Sequence, residues 1–144
     1  MLHLYFLLTR PLTIGVRAAI RMRDGKFVLV RHTYTPGWHF PGGGLAKNEV
    51  AREALLREVE QELGIQIRSE LALLGLYFNR AVSKRDHVLL FHCRYDGDLP
   101  VKSPSYEIAE IAAFDSDRLP EDMDPGTARR IREIAFGETA QPEW

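Results

Sequence analysis

The groups best placed to do chemistry in this chain are the carboxylates of Glu58 and Glu62, with Gln61 beside them, downstream of the glycine run Gly42-Gly43-Gly44. If residues from about 50 to 63 are helical, each step turns about 100° and Glu58, Gln61 and Glu62 share one face. Leu55, Val59 and Leu63, with Leu56 at the edge, fall on a second face that reads as the core side, and Glu53 and Glu60 look outward. Like charges at i and i+4 repel, so Glu58 and Glu62 make most sense with a cation between them. Oxygen ligands without a Cys/His set favour a hard ion such as Mg²⁺ or Mn²⁺ over zinc. An ion of that kind would bridge diphosphate oxygens and assist hydrolysis by an attacking water.

The glycines are expected to adopt backbone angles closed to other residues, turning loop carbonyls toward the same point. Ala51 and Ala54, small residues above Glu58 on the helix, let the loop approach closely. Asn48 suits a left-handed turn or a helix cap.

The spacing resembles the Nudix box of the Nudix hydrolases, G-x5-E-x7-R-E-U-x-E-E-x-G-U with U a bulky aliphatic. Gly43, Glu49, Arg57, Glu58, Val59, Glu62, Gly64 and Ile65 match, and Gln61 stands where the family has the first glutamate of its pair. The resemblance implies an α+β Nudix fold, an α/β/α sandwich with a mixed sheet between helices, formed by a single domain over residues 1–144. It implies a pyrophosphohydrolase acting on a nucleoside diphosphate linked to another group X, such as an NTP, a dNTP or ADP-ribose, with Mg²⁺ or Mn²⁺ as cofactor. A nucleotide sensor that keeps the pocket without turnover is the alternative, and Gln61 is the residue that speaks for it.

Carried over residue by residue, the metal set is Glu58, Glu62 and the Gly43 carbonyl, with Gln61 offering at most a neutral amide oxygen. Glu58, Glu62 and Glu107 form the catalytic set, Glu107 serving as extra ligand or base and Glu110 as second choice. Arg57 belongs with them as the brace of Glu49. Glu58 and Glu107 stand as alternatives for orienting or deprotonating the water. Trp38 falls where the family frequently has a tryptophan before Pro-Gly-Gly. Tyr34, Trp38, Phe40 and Phe78 are candidate stacking surfaces, each also suited to the core. His39, like His32, lies near the loop. Arg80, in a basic connection with Lys84 and Arg85, is a candidate phosphate grip.

The elements that must position these groups are legible in outline. Ile14 to Ile20 and Phe27 to Val30 read as a hairpin about Asp24-Gly25. Leu71 to Phe78 and His87 to Tyr95 read as two further strands, and Ser105 to Phe114 as a late strand. Thr127 to Phe136 reads as an amphipathic helix after Pro125-Gly126 and before Gly137. Residues 138–144 are expected to be a loose tail. Residues 1–12 form an apolar arm, a short helix or an extended leader, which must be buried on its own domain or on a second copy in a homodimer.

The chain has 144 residues and a formal net charge of −1, so it lacks the overall basic field that would point to a nucleic-acid partner. A small nucleotide diphosphate derivative is the expected partner. Cys93 is the single cysteine, which excludes an intrachain disulfide and reads as strand packing in a reducing compartment. The apolar start is too short to span a bilayer and lacks the features of a secretory signal, so no membrane role and a cytoplasmic location are expected.

Overall fold

A computed structural model describes residues 2–101 and 105–144, and the side chains of all of these except Leu2. Helix α1 (Leu2–Thr9) leads into β1 (Thr13–Met22), β2 (Phe27–His32), β3 (Trp38–His39), β4 (Gly42–Gly44) and α2 (Ala51–Leu63). Then follow β5 (Ala72–Phe78), β6 (Asp86–Tyr95), β7 (Ile108–Phe114) and α3 (Pro125–Phe136). The expected hairpin closes at Asp24-Gly25, where Lys26 N–H donates to Asp24 Oδ1 (3.2 Å) and Met22 N–H to Lys26 O (2.8 Å).

The sheet is mixed. β1 runs parallel to β6 over residues 13–22 and antiparallel to β2 and β4. A strand has two edges, so β2 and β4 share the edge of β1 that β6 leaves. β2 meets β1 at Arg21↔Phe27, and β4 meets it at residues 15–17. β7 occupies the far edge of β2, which places β3 on the near one, at Val30 and Arg31. The hairpin therefore opens like a fork, and the segment Trp38–Gly44 sits between its tines. That fork presents the glycine run to α2.

Alternation along the strands sorts the core into two layers. Val16, Ala18, Ile20, Val28 and Val30 pack with Leu55, Val59 and Leu63 of α2, as the helical stripe predicts. Ala19, Phe27, Leu29 and Leu90 face the other way, toward Ile131 of α3. The result is the expected sandwich, with the sheet between α2 and α3. Cys93 is buried in the first layer. Among the described residues no helix is long and apolar enough to cross a membrane.

One expectation about the ends is corrected. The tail is not loose: Phe78 N–H donates to Pro142 O and Trp144 N–H to Phe78 O, both at 2.9 Å, extending the edge of β5. Arg130, fully buried with its guanidinium 4.1 Å from the Tyr77 ring centroid, donates to Gln141 O (2.9 Å) and to Glu133 Oε1 (2.7 Å). The tail is ordered because it supplies the acceptor that a buried cation requires. The N-terminal arm forms the short helix α1, but its described side chains stay exposed on this chain.

Candidate active site

Each of the three glycines does a different thing. Gly42 has φ +151, and a Cβ there would lie 2.0 Å from Val16 O, so the backbone fits the fork only without a side chain. Gly43 lies against the Glu58 carboxylate, whose carbon would be 2.3 Å from an added Cβ. Gly44 has open space around it. Conformational freedom is thus required at Gly42, and closeness to an acid at Gly43.

The acids are fixed by different partners. Glu62 is 6% exposed; its Oε2 accepts from Gly42 N–H (2.9 Å) and its Oε1 from His32 Nε2 (2.8 Å). His32 follows Val28 and Val30 on the α2 side of β2, which is why it reaches the helix. Glu58 Oε1 accepts from Arg57 (2.6 Å). Arg57 also holds Glu49 with two parallel bonds, Nε to Oε1 at 2.7 Å and one guanidinium NH2 to Oε2 at 3.0 Å, and it donates to Gln61 Oε1 at 3.3 Å. The fork geometry suits a planar carboxylate. Arg57, together with the Ala46 N–H, keeps the Glu49 carboxyl below the usual carboxylate range, and Glu49 followed by Glu58 raises the Arg57 guanidinium in turn. Arg57 is the brace that the sequence reading assigned to it. Asn48 takes the left-handed turn (φ 61), but it does not cap α2: Val50 is the N-cap residue and makes no side-chain bond.

Tyr34 overlooks these acids from the rim, 71% exposed, with its ring 5.2 Å from that of His32. Its hydroxyl is raised above the ordinary value, first by partial burial, then by the negative charges of Glu62, Glu107 and Glu58, with Arg17 opposing. Glu107 lies on an exposed bend before β7, where its carbonyl accepts from Thr33 N–H (2.9 Å), and its charge reaches Tyr34. Glu110 does not join them. It pairs with Arg31 at 3.2 Å on the α3 side.

One of the substrate-binding candidates is placed elsewhere. Trp38 is 5% exposed, edge-on to Phe114 and beneath Arg31, and its backbone anchors the segment before α3 through Asp122 O and Asp124 N–H. It is core, like Phe40, because its place on β3 faces the α3 layer. Arg80 lies over the Phe78 ring and pairs with Glu143 at 3.1 Å on an exposed edge, between Asn79 and Ala81, which line the cavity described next. His39 lines the cavity described next and donates from Nε2 to Pro36 O (2.9 Å).

A cavity of about 280 Å³ adjoins the box on the α3 side, lined by Arg17, His32, Tyr34, His39, Asn79 and Arg129 among others. Its floor is the N-terminus of α3, where Asp124 caps the helix by accepting from Thr127 N–H and Oγ1–H, both at 2.8 Å. Trp144 closes one wall, donating from Nε1 to Asp124 Oδ2 at 3.2 Å. A larger hollow of about 650 Å³ at the C-terminal end of α2 contains neither acid of the site face and is bordered by the exposed Arg68 and Arg94. Arg17, Asp124 and Arg129 were not singled out from sequence. Arg17 carried a signal, a charge set between Val16 and Ala18 in an apolar run. Its guanidinium donates to Gly43 O (3.3 Å) and Val16 O (2.9 Å).

Among the described residues no three His, Cys, Asp or Glu side chains gather as a metal cage. The donors present still suit a hard ion of the Mg²⁺ type, which commonly takes one or two carboxylates and leaves the rest of its shell to water and substrate phosphate. The close seat of the Glu58 carboxylate on Gly43, which a methyl group would fill, keeps a carboxylate and the adjoining backbone together.

Comparison with known proteins bears on the family and the fold. The NUDIX domain model matches residues 11–134. A MutT-like protein of Streptomyces ambofaciens is 26% identical over 125 residues, 87% of this chain and 78% of that protein. An RNA pyrophosphohydrolase of Coxiella burnetii is 42% identical over 57 residues, but the match spans only 39% of this chain and 25% of that enzyme. The crystal structure of a MutT NUDIX hydrolase from Burkholderia pseudomallei superposes with a TM-score of 0.73 at 26% identity, covering 85% of this chain and 98% of that one. With the family model spanning most of the chain and the fold shared, this protein belongs to the NUDIX domain family.

Proposed function

We propose that the protein is a divalent-metal-dependent pyrophosphohydrolase that cleaves a nucleoside diphosphate linked to another group X by attack of water at phosphorus. The observation that carries the reading is the meeting of two α2 carboxylates with the glycine strand: Glu58 against Gly43, and Glu62 on the Gly42 N–H. An ion of the Mg²⁺ type held by Glu58, Glu62 and the Gly43 carbonyl would neutralise phosphate charge and acidify the attacking water.

The chain's own groups do the remaining work. Gly42 and His32 hold Glu62 in one rotamer, and Arg57 holds Glu58 while tying the loop through Glu49. Either Glu58 or Glu107 takes the proton of the water as its oxygen bonds to phosphorus and the anhydride oxygen departs. Arg17, beside Gly43, faces the departing charge. Gln61 brings no charge, which lowers the affinity for the cation relative to a third carboxylate. The cavity under Tyr34 and His39 receives the nucleoside. The buried, unpaired Cys93 suits a reducing compartment such as the cytoplasm. Similarity over 57 residues to an RNA pyrophosphohydrolase supports RNA 5′ ends among the first substrates to test.

The experiment is a panel of NTPs, dNTPs, ADP-ribose, dinucleoside polyphosphates and 5′-triphosphate RNA with Mg²⁺ or Mn²⁺, scored for released phosphate or mononucleotide. Glu58→Gln and Glu62→Gln are assayed alongside. Metal-dependent turnover that both substitutions abolish is the expected result. Turnover that survives both sinks the assignment, and tight nucleotide binding with no turnover on any member identifies a sensor instead.

A further inference from the structure

The face of the sheet that α2 covers is left bare at its outer end. Register places Ile14, His87 and Phe78 in one row across β1, β6 and β5, and Val16, Leu89 and Leu76 in the next. Ala18, Phe91 and Leu73 follow. Val16, Ala18 and Phe91 belong to the α2 layer, so their row partners point to that same face. α2 buries only the inner part. Ile14 is 37% exposed, Leu73 57% and Leu76 56%, with Leu74 at the neighbouring bulge 42%.

α1 is the converse, a helix with no sheet to cover. Leu4, Tyr5, Leu7 and Leu8 are 56–75% exposed, Phe6 is 38% exposed, and Leu12 just beyond is 62% exposed. Its sequence, LHLYFLLT, is apolar on every side. Among the described residues no hydrogen bond or ring contact joins it to the rest of the fold; Thr9 donates to Tyr5 O, and Arg10 lies over Phe6. A helix that is apolar all round is ordinarily a buried one.

We propose that the two surfaces belong to each other across a two-fold homodimer, α1 of each copy lying on the Ile14–Leu73–Leu76 face of the other. Area favours this arrangement. At roughly 100 Å² for each half-exposed large side chain, α1 with Leu12 offers about 600 Å², short of the ~800 Å² per partner that a standard interface takes. Adding the sheet face brings the sum to about 1,000 Å² per copy, so a stable contact needs both surfaces, and a reciprocal exchange supplies both in a closed pair. Within one copy α1 does not cover this face, since its own side chains and those of Ile14, Leu73 and Leu76 stay exposed together.

Light scattering on the full-length chain at micromolar concentration should give twice the 16.5 kDa chain mass. Leu4→Glu/Leu8→Glu on the helix and Leu73→Glu/Leu76→Glu on the sheet should each give monomers with unchanged far-UV dichroism, the dimer dissociation constant rising at least a hundredfold. Mixing Leu8→Lys with Leu76→Glu should restore dimers at least tenfold tighter than either variant forms alone. If the sheet variant does not fold, disulfide trapping between Leu8→Cys and Leu76→Cys copies, each also carrying Cys93→Ser, decides the same point. A wild-type monomer, a dimer that survives the sheet variants, or a monomer that partitions onto phosphatidylcholine vesicles through α1 would each overturn the exchange.

Discussion

Replacing the three glycines by alanine one at a time separates folding from chemistry at neighbouring positions. At Gly43 the new methyl would sit 2.3 Å from the Glu58 carboxyl carbon, so the carboxylate must retreat by about 1.1 Å to reach ordinary contact at 3.4 Å. The obstacle is the end of a side chain, so Glu58 can swing outward at the expense of its 2.6 Å bond to Arg57. A part-exposed pair of this kind contributes at most about 1 kcal/mol, and the melting temperature should fall by only a few degrees. A displacement of about 1 Å in a group that positions the reaction costs on the order of a hundredfold in rate. Gly42→Ala is the opposite case. Its methyl would lie 2.0 Å from Val16 O in the strand backbone, at a φ few side chains accept, and about 3 kcal/mol or more of stability should be lost. Gly44→Ala meets nothing within 4 Å and should be neutral in both respects. Initial rates on the best substrate of the panel, measured beside thermal melts, give the pattern directly. Full activity in Gly43→Ala, or equal damage at Gly43 and Gly44, would refute the placement of Glu58 on the glycine strand.

Glu62→Gln should lower the Tyr34 pKa toward the ordinary tyrosine value, because one of the negative charges raising it disappears. The difference in ultraviolet titration against the same variant carrying Tyr34→Phe checks this, and no change would place Tyr34 away from the acids. Burial pushes the Cys93 thiol from 9.0 up to about 12. Its folded-state pKa is raised, so the stability tied to the neutral thiol is complete below about pH 9 and declines as pH rises toward 12. A thiol reagent at pH 8 should react only after denaturation. Trp144→Ala removes a ring packed on Gly126 and edge-on to Phe40 and Tyr77, together with its bond to Asp124. It should cost about 3 kcal/mol, roughly 10 °C in melting temperature, and an unchanged melt would return the tail to a passive role.

The box was legible because its information is local. Helical spacing alone puts Glu58 and Glu62 on one face and sets Leu55, Val59 and Leu63 on another, so the site face and the α2 core stripe could be read from residue order, while the fold class followed from the family resemblance that the box carries. Strand alternation and the Asp24-Gly25 turn likewise fixed the hairpin without distant partners. Tertiary structure decided what depends on contacts between segments far apart in sequence. The fork between β1 and β2 made Gly42 a backbone necessity, turned His32 onto Glu62, brought Arg17 to Gly43 and buried Trp38. The buried charge of Arg130 recruited the tail, which closed the cavity with Trp144 and paired Glu143 with Arg80. Residue types and short-range periodicity specify which groups are available and which face of an element they share. Only the packing of the sheet against its two helices determines which of those groups meet.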